Sequence, residues 1–485
     1  MPPLHRRQFL QQTATLGAAA LFGRVGGVAA IGIDYDVIII GAGVSGMTAA
    51  RLLSEMGPGI KVLVLEARDR VGGRIYTSPD DVSPHGVELG AQFIHGSAAS
   101  TFELVKKYGM QTRSRHHFGG PKYMTYRDGE APVPEEANQR QELFEKMQSA
   151  YQAYEGPDLS LASFAAQQGF SAAPEADLVA AEAIGWGVEP DRLSLKAAIE
   201  DEEAWRAYWD EDYILFGGYS NLAEKMAAEL SGKIRLESVV TSILWGEELC
   251  GVIYKHKGLE SAVTSRRVVV TLPVGVLQSG DVKINPPIPK EKQQALDATV
   301  MGKAVRIPML FSEPFWRDSL PYPGGLRRLD GRIHLSIPHD AKRGGNAING
   351  YFTGEVAQAL SAAGPEAALQ QCLGWLEQTT GVSGLQDKLT WHTVADWVAD
   401  PFAYGSYSAT GPGGHDLRAE LGKQVGETLF FAGEATAPAP HYQSVHGAYD
   451  SGKRVVREVA RSLGLSEMLP GEAAPGDEDP VIELL

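Results

Sequence analysis

Two cysteines in 485 residues leave no material for a disulfide framework or a thiolate metal cluster. Cys250 falls in a strand-like run, Leu249-Cys-Gly-Val-Ile-Tyr254, and Cys372 in a helix-like one; both read as small buried hydrophobes. No metal-ligand spacing accompanies His116 and His117, so that pair reads as surface and no metal site is expected. Basic residues are outnumbered, 44 Lys and Arg against 60 Asp and Glu, for a formal net charge of −16. That excludes the basic face a nucleic-acid partner needs. The acidic surplus serves solubility first, and it could also draw cations toward a cleft. Beyond the leader, no apolar run approaches the ~20 residues of a spanning helix, so a mature chain without a transmembrane segment is expected. There is no internal repeat.

What the chain does have is an ordinary globular composition, 44% hydrophobic and 21% charged, and length for about three domain-sized units or two large interleaved ones. Its start, His5-Arg-Arg-Gln-Phe-Leu10, leads through an Ala- and Leu-rich stretch to Phe22 and then Val28-Ala-Ala30. Paired arginines, a modest apolar region and small residues before a cleavage point fit a twin-arginine export signal over residues 1–30. The mature protein is therefore expected in the periplasm or outside the cell. The Gly-, Pro- and acid-rich tail, residues 465–485, is expected to be disordered.

Asp36-Val-Ile-Ile-Ile40 is a short continuous apolar run, the pattern of a parallel strand buried on both faces. Met47 to Met56 reads as a helix and Lys61-Val-Leu-Val-Leu65 as the next strand, which makes a βαβ unit and an α/β fold. Between strand and helix lies Gly41-Ala-Gly-Val-Ser-Gly46. The first glycine permits a tight turn, the second lets a pyrophosphate approach the backbone, and the third lets helix and strand pack closely. Glu66 ends the second strand 20 residues beyond Gly46, placed to accept hydrogen bonds from a ribose diol. Helical spacing dominates from about Thr101 to Ala228. Strand-like runs return at Ile234 to Trp245, Gly251 to His256 and Arg266 to Leu272, and again at Thr428 to Ala432 before a helix near Ser444 to Leu463.

Glu66-Ala-Arg-Asp-Arg-Val-Gly-Gly-Arg74 resembles the hallmark of the flavin-containing amine oxidase family, and the likeness continues along the chain. Glu88-Leu-Gly-Ala-Gln-Phe-Ile-His-Gly96 is similar to the family's flavin-facing loop. Val269 to Leu277 with Pro286-Pro-Ile-Pro289 is similar to its middle signature. Asp400-Pro401, Gly405-Ser-Tyr-Ser408, Phe430-Phe-Ala-Gly-Glu-Ala435 and Val445-His-Gly-Ala448 are similar to its C-terminal signatures. The resemblance implies a Rossmann-type FAD-binding domain in three parts, 33–95, 216–285 and 400–464. Interleaved with it would be an α+β substrate-binding domain, 96–215 with a helical insertion and 286–399. It places Gly41, Gly43, Ser45 and Gly46 on the pyrophosphate, Glu66 on the adenosine ribose and Arg68 beside ribose and adenine. Gly73 and Arg74 would contact the phosphates, Gly90, Ala91, Gln92 and Phe93 the flavin ring, and Val240 the adenine. Gly433 and Glu434 would lie near the ribityl and pyrophosphate groups, and the Val445 N–H at the flavin C2 carbonyl.

The same resemblance implies oxidation of an amine by hydride transfer to flavin N5, with dioxygen reduced to peroxide. The partners are then a small-molecule amine and dioxygen. Tyr407 matches one of two aromatic walls of monoamine oxidases; the second falls at Ser444. A small hydroxyl there, and His95 in Ile94-His-Gly-Ser97, are similar to polyamine oxidases, with His95 as a polar contact to a substrate nitrogen. Ser406 stands where covalent members carry a cysteine, so non-covalent FAD is expected. Arg306 stands where the family has a lysine near N5, and an electrostatic, positional role is expected because arginine does not deprotonate. Lys303 is nearby but out of register. The acidic run Glu200-Asp-Glu-Glu203, with Asp210 and Glu211, reads first as a solvated helix face. Its other reading is a binder of secondary ammonium groups at a pocket entrance. Two alternatives stay open: an L-amino-acid oxidase, with Arg113 or Arg115 as the carboxylate clamp, and a non-catalytic flavin-fold protein.

Overall fold

The structure, a computed structural model, describes residues 32–57, 59–80, 86–114, 123–128, 130–134, 137–316, 325–337 and 346–468. The leader, the tail from residue 469, Arg115, His116 and His117 lie outside them.

With strands numbered along the chain, Tyr35–Ile40 (β1) and Val62–Leu65 (β2) pair in parallel, and the helix Val44–Met56 (α1) crosses between them. Side chains of β1 alternate between two cores. Val37 and Ile39 pack with α1, whereas Ile38 and Ile40 enter a second cluster on the opposite face. Both faces are therefore covered, which is why the run is apolar throughout. Six later strands extend the sheet: Ile234–Arg235 (β8), Ser238–Trp245 (β9), Cys250–His256 (β10), Leu259–Val270 (β11), Lys283–Asn285 (β12) and Leu429–Phe431 (β21). The order is β12-β9-β10-β11-β1-β2-β8, and β21 pairs in parallel with Val268–Val270 at the end of β11. Helices Gly218–Ala228 (α7) and Val445–Ser462 (α10) bury Tyr219, Leu222, Val455 and Val456 in the same cluster as α1.

A second eight-stranded sheet has the order β18-β14-β17-β16-β15-β5-β6, with β19 on β14. Its strands are Tyr123–Tyr126 (β5), Val133–Pro134 (β6), Ala304–Phe311 (β14), Gly325–Arg328 (β15), Ile333–Ser336 (β16), Ala347–Thr353 (β17), Leu389–His392 (β18) and Ala395–Asp396 (β19). Helices Gly354–Ala363 (α8) and Pro365–Thr380 (α9) share its core. Phe93–His95 (β3), Thr112–Ser114 (β4) and Asp212–Leu215 (β7) form a three-stranded sheet, and Thr299–Met301 (β13) pairs with Ser408–Thr410 (β20). The helices of the insertion are Thr101–Lys107 (α2), Ala137–Gln152 (α3), Leu161–Gln167 (α4), Glu175–Gly185 (α5) and Leu195–Tyr208 (α6).

The expected α/β architecture is present, with three local corrections. The stretch from Thr101 to Ala228 is not helical throughout, because β7 pairs with β3 and β4, and β5 and β6 join the second sheet. The run Ile234 to Trp245 is two strands. Glu237 adopts φ 51, a left-handed conformation that ends β8 on β2 and starts β9 on β10. The strand expected from Arg266 begins at Leu259, where a polar half pairs with β10. Among the described residues no helix is long and apolar enough to cross a membrane.

Candidate active site

One cavity of about 1800 Å³ runs from the C-terminal ends of β1 and β2 to helices α5 and α6. Sites for one small ligand are typically ~300–1000 Å³, so there is room for a dinucleotide and a second molecule. Every residue singled out above as cofactor-binding or catalytic lines it, except Gly46.

Gly46 has a different task. A Cβ there would lie 2.0 Å from the Gly41 carbonyl oxygen, so only glycine lets α1 pack onto the turn. Gly43 is the opposite case. An added Cβ would meet no protein atom within 4 Å, and the backbone there faces the cavity. Helix α1 starts at this point with no side-chain cap and no acid in its first turn. Its first N–H groups and its dipole are left for an anion. The Glu66 carboxylate accepts the Ala42 N–H at 2.7 Å and the Arg68 N–H at 2.9 Å. A carboxylate has about four acceptor positions, so two remain for a diol. Asp400 clamps Arg68 through two contacts of 2.8 Å. This end of the cavity fits a dinucleotide.

Farther along, Arg74 donates to the Ser406 carbonyl at 2.9 Å and to Glu434 at 2.8 Å. The other Glu434 oxygen accepts from the Ser408 hydroxyl and the Gln443 N–H at 2.8 and 3.0 Å. Burial opposes its ionisation, yet Arg74 and Arg418 outweigh that and hold its carboxyl below the ordinary range. The thiols of Cys250 and Cys372 are buried in other cores and line no part of this cavity. Ser444 lines the cavity, but its hydroxyl is committed: it accepts the Gly447 N–H at 2.9 Å and donates to the His441 carbonyl at 2.5 Å. It caps α10, leaving the first N–H groups of that helix at the cavity wall.

The remaining chamber is aromatic. Tyr407 and Tyr351 share a hydrogen bond of 3.2 Å, and the Tyr407 hydroxyl also donates to the Gly185 carbonyl at 3.1 Å. Burial and then Tyr351 push the Tyr407 phenol well above its ordinary pKa, so it stays neutral. Arg306 lies 5.1 Å over the Tyr351 ring and donates to the Glu88 carbonyl at 2.9 Å. Burial raises the Glu88 carboxyl to about 7 against the pull of Tyr219, Thr77 and Arg306. Asp212 fixes the His95 ring, 2.8 Å from Nδ1, and also accepts the Trp209 indole N–H at 3.0 Å. A carboxylate on Nδ1 selects the tautomer with the proton there and leaves Nε2 as acceptor. Trp205 stands edge-on to His95 with ring centres 5.7 Å apart. Tyr351, Asp212, Trp205 and Glu88 are members of this site that sequence reasoning missed. Glu88 stood inside the quoted loop, whereas Tyr351 has no local signal at all.

The model of the family described as flavin containing amine oxidoreductase matches residues 44–460. Lysine-specific histone demethylase 1 homolog 2 of Arabidopsis thaliana is 29% identical over 462 residues, 90% of this chain and 60% of that protein. Polyamine oxidase 4 of Oryza sativa subsp. japonica is 28% identical over 465 residues, 90% of each chain. This chain thus spans little more than half the length of several of the curated relatives it matches. A putrescine oxidase solved with putrescine superposes with a TM-score of 0.73 at 20% identity, covering 88% of this chain and 99% of that one. Cyclohexylamine oxidase from Brevibacterium oxydans IH-35A gives 0.72 at 21%, covering 89% and 100%. With that match across most of its length, and with a cavity whose residues fit FAD as the cofactor, the chain belongs to the flavin-containing amine oxidoreductase family.

Proposed function

We propose that the protein oxidises the C–N bond of a polyamine or another primary or secondary amine and reduces dioxygen to hydrogen peroxide. Bound FAD would supply the two-electron acceptor for the hydride equivalent of the α-carbon and the link to dioxygen. The observation that carries the reading is the continuity of one cavity from the Gly43 cradle to the chamber of Tyr407, Tyr351 and His95. Gly43, Glu66, Arg74 and Glu434 hold the cofactor, with Ser406 in place of an attaching thiol. The Tyr407 and Tyr351 rings orient an amine and exclude water from it. His95 Nε2 accepts a hydrogen bond from the substrate nitrogen, and Arg306 supplies fixed positive charge.

Oxygen uptake with peroxide detection, run over polyamines, aromatic monoamines and L-amino acids, tests this. Uptake with an amine is expected. FAD-loaded protein that consumes no oxygen with any of them fits the non-catalytic reading instead. The L-amino-acid reading keeps one specific support, since Arg113 lines the cavity; turnover of amino acids alone would establish it. Acid precipitation is expected to give colourless protein under a yellow supernatant, and a yellow pellet would refute non-covalent FAD. We also propose that residues 1–30 direct export of the folded protein.

A further inference from the structure

The second sheet turns two different faces to its surroundings. Val305, Ile307 and Met309 of β14, and Ile333 and Leu335 of β16, point into the core shared with α8 and α9. Their alternate neighbours point the other way and floor the cavity. Strand register sorts that floor into three rungs. Arg306, Tyr351 and His334 form the first, at the reacting chamber. Pro308, Asn349 and Ser336 form the second. Leu310 and Ala347 form the third, with Trp391 of β18 beside Leu310. With two residues per step, the second rung lies ~7 Å and the third ~14 Å along the strands from the first.

The second rung is polar without being charged. Asn349 is half-buried and lines the cavity. Its Oδ1 is enclosed without a hydrogen-bond partner, and among the described residues its Nδ2, which is not enclosed, has none either. The neighbouring Ser336 hydroxyl turns to the Asn349 backbone carbonyl at 3.3 Å, not to the side chain. Side-chain amides inside folded proteins are ordinarily paired, so this one has a partner to gain. A half-turn of the amide exchanges its two ends, so the open position offers either a donor or an acceptor. The third rung is apolar. The Trp391 indole N–H is spent on Asp80 at 3.0 Å, which leaves its ring beside Leu310 as the wall. Neither of these rungs carries an ionisable side chain, so a charge placed over them would be desolvated without a paired charge on the floor. The complement is a neutral group that both donates and accepts, followed by an apolar ring.

We propose that Asn349 and Trp391 form a subsite for an uncharged arm of the substrate, so that the protein prefers an amine with a carboxamide over the second rung and an apolar ring over the third. This rests on the amine-oxidation reading and specifies the part of the substrate that does not react. Asn349 and Trp391 bind that arm and take no part in the bond that breaks.

The test uses holoenzyme reduced anaerobically with dithionite, so that bound amines are not turned over. The probes, titrated calorimetrically, are N-benzyl-6-aminohexanamide, 8-phenyloctylamine, in which methylenes replace the amide, and butylamine, which stops short of the second rung. Asn349→Leu, and Asn349→Ala as a smaller replacement, should each weaken the amide ~10-fold, the scale of a hydrogen bond lost at a group then left unpaired. Neither should weaken the hydrocarbon analogue or butylamine. Trp391→Ala should weaken the amide and the hydrocarbon alike, by ~10-fold, and spare butylamine. Butylamine binding also reports that each variant is folded around its cofactor. In turnover, Asn349→Leu should raise KM for the amide with kcat nearly kept. An amide that the wild type does not bind, or that loses no more affinity than the hydrocarbon in both Asn349 variants, overturns the subsite. Asn349-dependent binding of the amide in protein that oxidises no amine would retain the subsite and overturn the reaction.

Discussion

A carboxyl group kept from water holds its proton longer, and Glu88 is placed that way beneath Arg306. Its pKa is raised from 4.5 to about 7, so between those values the native state binds a proton that the unfolded chain has released. Stability is therefore lost as pH rises through that window, by at most ~3 kcal/mol on the scale of 1.36 kcal/mol per unit. Glu88→Gln keeps an acceptor for Tyr219 and a partner for Thr77, and its melting temperature is expected to fall less between pH 5 and 7.5. A parallel decline in both proteins would remove Glu88 as the cause. Arg306 is buried and fixed by the Glu88 carbonyl and the Tyr351 face, so it acts as a stationary charge. Arg306→Met is expected to slow the dioxygen half-reaction on the order of 10²-fold, with less effect on reduction by amine, and Arg306→Lys to retain most activity. Stopped-flow measurement of the two half-reactions separates these outcomes. Single residues of this kind were legible in the sequence only where a neighbouring motif framed them, as with Glu66, Arg74 and Glu434. Tyr351 and Asp212 reach the chamber from strands that pair across long stretches of chain, and no local pattern announces that.

At the scale of elements, β1, α1, β2, β21 and α10 were legible because each is a short apolar run or an amphipathic stretch beside glycines. The break at Glu237 was not, since a left-handed glutamate leaves no trace in hydropathy. Strand β7 was hidden for a related reason: four residues behind an acidic helix are too few to show a period. The glycine turn makes a sharp comparison. Gly43→Ala is expected to fold with near-native melting and lose FAD affinity, because its Cβ enters only the cavity. Gly46→Ala is expected to destabilise the protein itself, because its Cβ meets the Gly41 carbonyl. Equal melting of the two variants would contradict this division. Ser444 belongs to the helix it begins. Ser444→Ala is expected to cost about 1 kcal/mol of stability, whereas Ser444→Thr, which keeps a hydroxyl that can both accept the Gly447 N–H and donate to the His441 carbonyl, retains most of it. Thermal denaturation of the three proteins checks the order.

For the molecule as a whole, the export proposal predicts that replacing Arg6 and Arg7 with lysine traps active, full-length protein in the cytoplasm; unchanged export would count against it. The α/β fold class was the most legible level, because the motifs occur in order along the chain, and most of them contribute residues to the cavity. One sheet takes strands from 35–65, 234–285 and 429–431. That topology has a consequence for synthesis. As the chain leaves the ribosome, β1 and β2 emerge long before β21 and α10. Long-range pairings of this sort are slow to form, and the partly assembled sheet offers an open edge meanwhile. A chain stopped before Leu429 is expected to aggregate and to retain no flavin. Cofactor capture is then expected to wait for residues 429–462, and a yellow protein to be one in which that segment has already been made.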